Sequence, residues 1–184
     1  SDARFVASVA RQLSLPFYCD RLIPGILEDV PGGIEGAARS ARVGFLRQIA
    51  TQLVVQLGAP VTIATAHHQD DQAETVLMHL LQGSGLTGLA GMAWVGQLPD
   101  AQEPPIRLVR PLLGVSRAQL HSYLRSFGLE WREDSTNDDV AYLRNQLRHQ
   151  VLPLLATINP NVHATLARTA DLLAAEADHA DSRD

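Results

Sequence analysis

The stretch Val61–Met92, VTIATAHHQDDQAETVLMHLLQGSGLTGLAGM, decides how the rest of the chain is read. It opens with Val61-Thr62-Ile63-Ala64-Thr65, a short β-branched run bounded upstream by Gly58 and Pro60, which reads as a buried strand. Ala66-His67-His68-Gln69 is a polar turn. A helical pattern follows, capped by Asp70 or Asp71, with Val76, Leu77, Leu80 and Leu81 on its apolar face and glycines 83, 85, 88 and 91 ending it. Two histidines, two aspartates and Glu74 thus gather at the carboxyl end of a strand, where open α/β sheets bind ligands. A helix N-terminus attracts anions, whereas Asp70 and Asp71 repel them. The pattern therefore calls for a cation, either a metal or a positively charged substrate.

Working outward, residues 2–13 read as a helix with Phe5, Val9 and Leu13 on one face, and Leu15–Cys19 as a strand. Residues 23–33 are a Pro- and Gly-rich loop. A second helix runs from Ile34 to about Leu57, with Ala38, Ala41, Phe45, Ile49 and Leu53 along one stripe. Helix, strand, helix, strand is the order of a layered α/β fold with a Rossmann-like parallel sheet. Such a sheet normally begins with a strand, so this one reads as missing its first strand.

Downstream of Trp94-Val95 and a Pro-rich loop, Ile106–Leu113 reads as a strand. Ser116-x-x-Gln119 is a capping box that opens a helix through Leu120, Leu124 and Phe127, stopped by Gly128. A polar turn around Trp131, Asp134, Ser135 and Asn137 leads to a helix from Tyr142 to Leu155. Pro160 opens a last helix with Leu166, Leu172 and Leu173 inward. From residue 116 onward the pattern is that of a small helical subdomain.

Composition narrows the chemistry. The 184 residues are 46% hydrophobic and 19% charged, ordinary for a globular chain. No apolar run reaches the roughly 20 residues that cross a bilayer, so the chain reads as cytoplasmic with no membrane partner. Cys19 stands alone, which excludes an internal disulfide and any CxxC site; in its apolar run it reads as a small buried hydrophobe. All 15 basic residues are arginine, so no lysine Schiff base or P-loop lysine exists in the chain. A net charge of −5 confines any nucleic-acid contact to a local patch.

His68-x-Asp70-Asp71-Gln72-Ala73-Glu74-Thr75 followed by Gly83-Ser84-Gly85-x-x-Gly88-Leu89 resembles the signature of the tRNA(Ile)-lysidine synthetases, enzymes of the N-type ATP pyrophosphatase (PP-loop) family. Glu35-x-x-Ala38-Arg39-x-x-Arg42 resembles that family's helix start, with Val43 where an aromatic is usual. Arg110-Pro111-Leu112-Leu113, Trp131-x-x-Asp134-x-Thr136-Asn137, Tyr142-x-Arg144-Asn145-x-x-Arg148 and Leu152-Pro153-Leu154 follow in the family's order. The family's Ser-Gly-Gly-x-Asp-Ser loop is absent; Pro31-Gly32-Gly33 lacks its serine and aspartate. On this reading residues 1–115 are a partial PP-loop domain of the adenine nucleotide alpha hydrolase-like fold and 116–184 the helical subdomain. The chain then starts downstream of the phosphate loop and is inactive by itself.

The resemblance implies a reaction in which ATP adenylates the C2 oxygen of a wobble cytidine and the amine of free L-lysine then displaces AMP. The tRNA partner it implies is an isoleucine tRNA with a CAU anticodon. It assigns lysine binding to Asp71 and Glu74, and ATP contact to Arg39 and His67. Catalytic roles fall to His67, His68 and Asp70, with Asp70 also a Mg²⁺ ligand. Arg110, Arg144, Asn145 and Arg148 are assigned to tRNA or phosphate. Where the family has an arginine before the first glycine, this chain has Gln82, and Arg107 or Arg110 can stand in. A homodimer is kept open.

Plainer readings stand beside these. Asp70 is a helix cap; Gln72, Thr75 and His79 lie on the helix surface; Arg39 and Arg42 form a solvated face. Arg144 and Arg148 pair with Glu133, Asp134, Asp138 or Asp139. Competing functions are a metal hydrolase built on the His-Asp cluster, another PP-loop enzyme with a different acceptor, and a degenerate RNA-binding domain.

Overall fold

A computed structural model describes residues 2–22, 33–99, 104–132 and 143–181. Residues 23–32 of the expected loop at 23–33, the acidic neighbours Glu133, Asp134, Asp138 and Asp139, and the motif residues Thr136, Asn137 and Tyr142 lie outside those ranges, and Gly33 opens a helix. The elements are α1 (Asp2–Gln12), α2 (Gly33–Leu57), β1 (Thr62–Ala64), α3 (Gln69–Leu81), α4 (Leu86–Leu89), β2 (Val95–Gln97), β3 (Arg107–Val109), α5 (Arg117–Ser126), α6 (Leu143–Gln146), a π-helical turn (Leu147–Val151), α7 (Leu152–Ile158) and α8 (Val162–Asp181). The strands form one mixed sheet in the order β1-β3-β2. β3 runs parallel to β1. Its pairing with β2 is antiparallel, carried on by the Leu98 N–H to the Ile106 carbonyl and the Arg110 N–H to the Trp94 carbonyl.

Two compact units emerge, residues 1–63 with 97–108, and residues 64–96 with 109–184. In the first, α2 lays Val43, Leu46 and Ala50 against Val61, Ile63, Leu98 and Ile106. Of the predicted strand Leu15–Cys19 no strand forms. The run lacks regular structure and a ladder neighbour among the described residues; Leu15, Phe17 and Tyr18 are exposed, and so is Cys19. Strand propensity without a partner does not make a strand. The predicted strand 106–113 is shorter, because Arg110–Leu113 turns back on itself, the Leu113 N–H reaching the Arg110 carbonyl.

The second unit is built around α3. Ala73 and Leu77 pack with Leu147, Leu152 and Val162, and Met78, Leu155, Ala156 and Leu166 close the cluster. Every residue from Gln72 to Thr75 is buried, polar ones included, so Gln72 and Thr75 are core rather than surface residues. Leu80 and Leu81, expected inward, are exposed, because the helix has passed beyond the core by its last turn. Leu172 is likewise exposed: the inward stripe of α8 runs through Val162, Leu166, Ala170 and Leu173, and Leu172 lies off it.

Gln72 holds the glycine-rich loop to the core. Its amide nitrogen donates to the Met92 carbonyl at 3.1 Å and its amide oxygen accepts the Met92 N–H at 2.8 Å. Gly91 lies against it with φ +66°, and a Cβ there would fall 2.8 Å from the Gln72 amide oxygen. His79 secures the same loop through Nδ1 and the Gly88 carbonyl, and is half-buried. Gly91→Ala meets a φ penalty and a clash together. We expect it to cost about 1–3 kcal/mol, a drop in Tm of roughly 3–10 °C read by thermal denaturation.

Candidate active site

His68 is the N-cap residue of α3 (φ −124°, ψ −178°), so neither aspartate occupies the cap position that the sequence suggests. Asp71 sits three residues on and reaches back, its Oδ2 accepting the His68 N–H at 3.0 Å. Asp70 Oδ2 accepts the Arg117 N–H at 2.9 Å, at the first residue of α5. Asp70 therefore lies against the N-terminal turns of two helices, where a carboxylate is favoured. α5 starts as its sequence dictates, with the Ser116 hydroxyl accepting the Gln119 N–H and the Gln119 side chain accepting the Ser116 N–H.

One turn further along α3, Glu74 is only 1% exposed and accepts three arginine hydrogen bonds. Arg148 Nε donates to Glu74 Oε1 at 2.6 Å and Arg148 Nη2 to Oε2 at 2.9 Å, a bidentate fork. Arg144 Nε donates to Oε2 at 2.8 Å. Asp71 Oδ1 is drawn in as well, 3.2 Å from Arg148 Nη2 and 3.5 Å from Arg144 Nη2. The arginines thus pair across to α3. The cation that the two aspartates call for is supplied, in the first instance, by the protein itself.

Burial works to lower the Arg148 pKa, but its hydrogen bond to Glu74 and the charges of Glu74, Asp71 and Asp70 outweigh this and raise it. A cation whose folded-state pKa is raised adds stability at every pH below the ordinary arginine value and loses it only above. The Arg148 charge therefore persists through the whole neutral range. The π-helical turn aids its geometry: the Leu152 N–H bonds back to the Leu147 carbonyl, and Arg148 and His149 both lie on this widened turn.

Above the clamp opens a cavity of about 480 Å³. His68, Asp70, Asp71 and Glu74 line it from α3, Arg148, His149 and Leu152 from the helices after 146, Arg117 from α5 and His163 from α8. His68 Nδ1 is buried and makes no hydrogen bond among the described residues; it stands 3.5 Å from Asp71 Oδ2 and 3.6 Å from Asp70 Oδ2. His163 Nε2 faces Asp70 Oδ1 at 3.9 Å.

Of the residues singled out from sequence, His68, Asp70, Asp71, Glu74 and Arg148 line this cavity, and Arg144 is tied to its wall. His67 is not among the lining residues; its Nδ1 lies 3.0 Å from the Thr65 hydroxyl. Arg110 Nη1 donates to the Ala93 carbonyl at 2.7 Å, and Asn145 is half-buried on α6. Arg39 belongs to the first unit, exposed on α2 beside a cavity of about 290 Å³ that it lines with Ser40, Val43 and Pro99. Arg117, His149 and His163 are additions to the site. Only His149, adjacent to Arg148, carried a sequence signal. No group of three His, Cys, Asp or Glu side chains suited to a metal ion occurs among the described residues.

Residues 1–155 match the family described as a PP-loop domain. The chain belongs to the PP-loop family. The curated relatives of this PP-loop chain include a tRNA(Ile)-lysidine synthase of Symbiobacterium thermophilum, 43% identical over 96% of this chain and 35% of the relative. One of Geobacter sulfurreducens is 40% identical over 94% and 34%. One of Pseudomonas syringae pv. tomato is 48% identical over 76% and 29%. The chain thus spans about a third of the length of these relatives. Among solved structures, a U34-tRNA thiolase of Methanococcus maripaludis with its [4Fe-4S] cluster shares the fold, with TM-score 0.62 at 15% identity over 94% of this chain and 56% of that one. No helix of the described residues is long and apolar enough to cross a membrane.

Glu74→Gln removes one charge and leaves two part-buried guanidinium groups short of a partner. We expect a loss of about 3 kcal/mol or more in urea unfolding, against about 1 kcal/mol for Asp70→Asn, which keeps its shape and faces the cavity.

Proposed function

We propose that this chain carries the lysine-accepting site of a tRNA(Ile)-lysidine synthase, which joins free L-lysine to a wobble cytidine activated by ATP. The observation that carries this reading is the opening of Asp70 and Asp71 into one polar cavity around a buried imidazole nitrogen without a hydrogen bond, in a chain whose relatives bear that name. Glu74 is saturated by Arg144 and Arg148, so we assign it to holding the site together. Asp71, shared between the arginines and the cavity, and Asp70 receive the lysine cation.

The amine must lose a proton to attack. Its nitrogen bonds to C2 of the adenylated cytidine, the bond from C2 to the adenylate oxygen breaks, and AMP leaves with that oxygen. His68 Nδ1, between the two carboxylates, is the group we assign to take the proton. Arg148 and Arg144 then have a second use, keeping Asp71 aimed.

Nucleotide contacts are less complete. Arg144 and Arg148 are committed to carboxylates, so this cavity offers little to a triphosphate. Arg39 remains our candidate phosphate contact by its motif. A magnesium ion brought by the nucleotide would take Asp70 as its protein ligand, which suits an ion that takes most of its ligands from phosphate and water. The partner is an isoleucine tRNA with a CAU anticodon, and the compartment the cytoplasm.

Labelled lysine incorporation into an unmodified isoleucine tRNA transcript tests this, using the chain extended upstream through a Ser-Gly-Gly-x-Asp-Ser strand and loop. We expect incorporation that falls about 100-fold or more with Asp71→Asn, with half-saturation for lysine displaced upward in Asp70→Asn. Incorporation unaffected by both substitutions contradicts the assignment.

A further inference from the structure

One face of α5 is basic in a chain of net charge −5, with Arg117 and Arg125 exposed and His121 half-buried. Arg117, His121 and Arg125 recur every four residues, so they line one side of the helix. Arg117 borders the cavity. Further along, the His121 ring stacks on Trp131 with centroids 4.7 Å apart and planes 23° from parallel. The Arg125 guanidinium carbon lies 5.5 Å from the centre of the same indole. Arg132 follows directly and is exposed; Glu130 is the one acidic residue between Arg117 and Arg132.

We propose that this stripe is a single-stranded RNA track, on which Trp131 and His121 stack an unpaired base while Arg125 and Arg132 meet phosphates and Arg117 leads the strand to the cavity. An aromatic pair with a guanidinium over the indole suits a nucleobase and its phosphate at once, because every base offers a π-face and every linkage a negative charge. An acidic peptide would use the arginines but has no need of the stacked rings. The track deepens the reading of the cavity as a tRNA-modifying site and rests on it for the identity of the RNA. The opposite side of α5, with Tyr123 and Phe127 tilted together and exposed, lies outside the track and provides a control.

The test is anisotropy of a labelled anticodon stem-loop RNA with the chain, alongside Trp131→Ala, Trp131→Phe, Arg125→Ala and Tyr123→Ala. Trp131→Ala weakens binding about 5- to 100-fold, the loss expected for one stacked base, and Trp131→Phe restores most of it. Arg125→Ala weakens binding and lowers the slope of log K against log salt by about one unit. Tyr123→Ala binds as the parent does. Equal affinity across all variants overturns the track, as does a polyglutamate peptide that competes as well as RNA. In the upstream-extended protein the same Trp131 and Arg125 substitutions raise KM for the tRNA more than they lower kcat. RNA binding through the track without lysine incorporation would sink the functional reading and leave the track standing. Incorporation indifferent to Trp131 and Arg125 would do the reverse.

Discussion

A buried carboxylate held by two arginines is the constraint on which the second unit depends. Glu74 lies on α3 in an almost water-free position, where Arg144 and Arg148 direct three N–H groups at its carboxylate and offset the cost of burying it. The helices after residue 142 are therefore fixed to α3 by charge as well as by the apolar contacts of Leu147 and Leu152. This fixing sets the position of Asp71, which shares both arginines, and through the first turn of α3 that of His68 and Asp70. Stability and chemistry share one network here, with Glu74 inside it and the aspartates at its open edge.

The electrostatic problem posed by two adjacent aspartates at the carboxyl end of a strand is resolved in layers. Helix N-terminal N–H groups take one oxygen from each, at His68 for Asp71 and at Arg117 for Asp70. The arginines take a second oxygen of Asp71. What remains at the cavity is a partly neutralised acidic edge, with the buried His68 Nδ1 3.6 Å from Asp70 and 3.5 Å from Asp71. Such an edge suits an amine that must bind as a cation and react without its proton. A fully uncompensated pair would hold the cation but resist giving up the proton.

Much of this was legible in the residues. The β-branched run at 61–65 forms its strand at the expected place, although the strand is not buried: Thr62 and Ala64 are exposed and Val61, Ile63 and Thr65 half-buried. The helices that follow it and the Ser116–Gln119 capping box also appear where their patterns put them. Local rules failed where a tertiary partner decides the outcome. Leu15–Cys19 has strand composition and no strand beside it among the described residues, and Leu80, Leu81 and Leu172 match an apolar pattern at positions the core does not reach. Gln72 and Thr75 look like surface residues but are buried, because α3 is covered on all sides at that level and Gln72 spends its amide on Met92. The acidic half of the site was visible as a cluster because its members are neighbours in the chain. Its basic half pairs across some 70 residues, and the π turn that presents Arg148 has no sequence signature.

The central claim is that Glu74 and the two arginines act as one unit, and a double-mutant cycle measures that directly. Urea unfolding of the parent chain, Glu74→Gln, Arg148→Met and the double variant gives the coupling free energy between the two side chains. The account predicts a coupling of about 2 kcal/mol or more, with the double variant losing far less than the sum of the single losses. Losses that simply add would mean that the two groups stabilise the protein independently, and the clamp would not be what holds the site together.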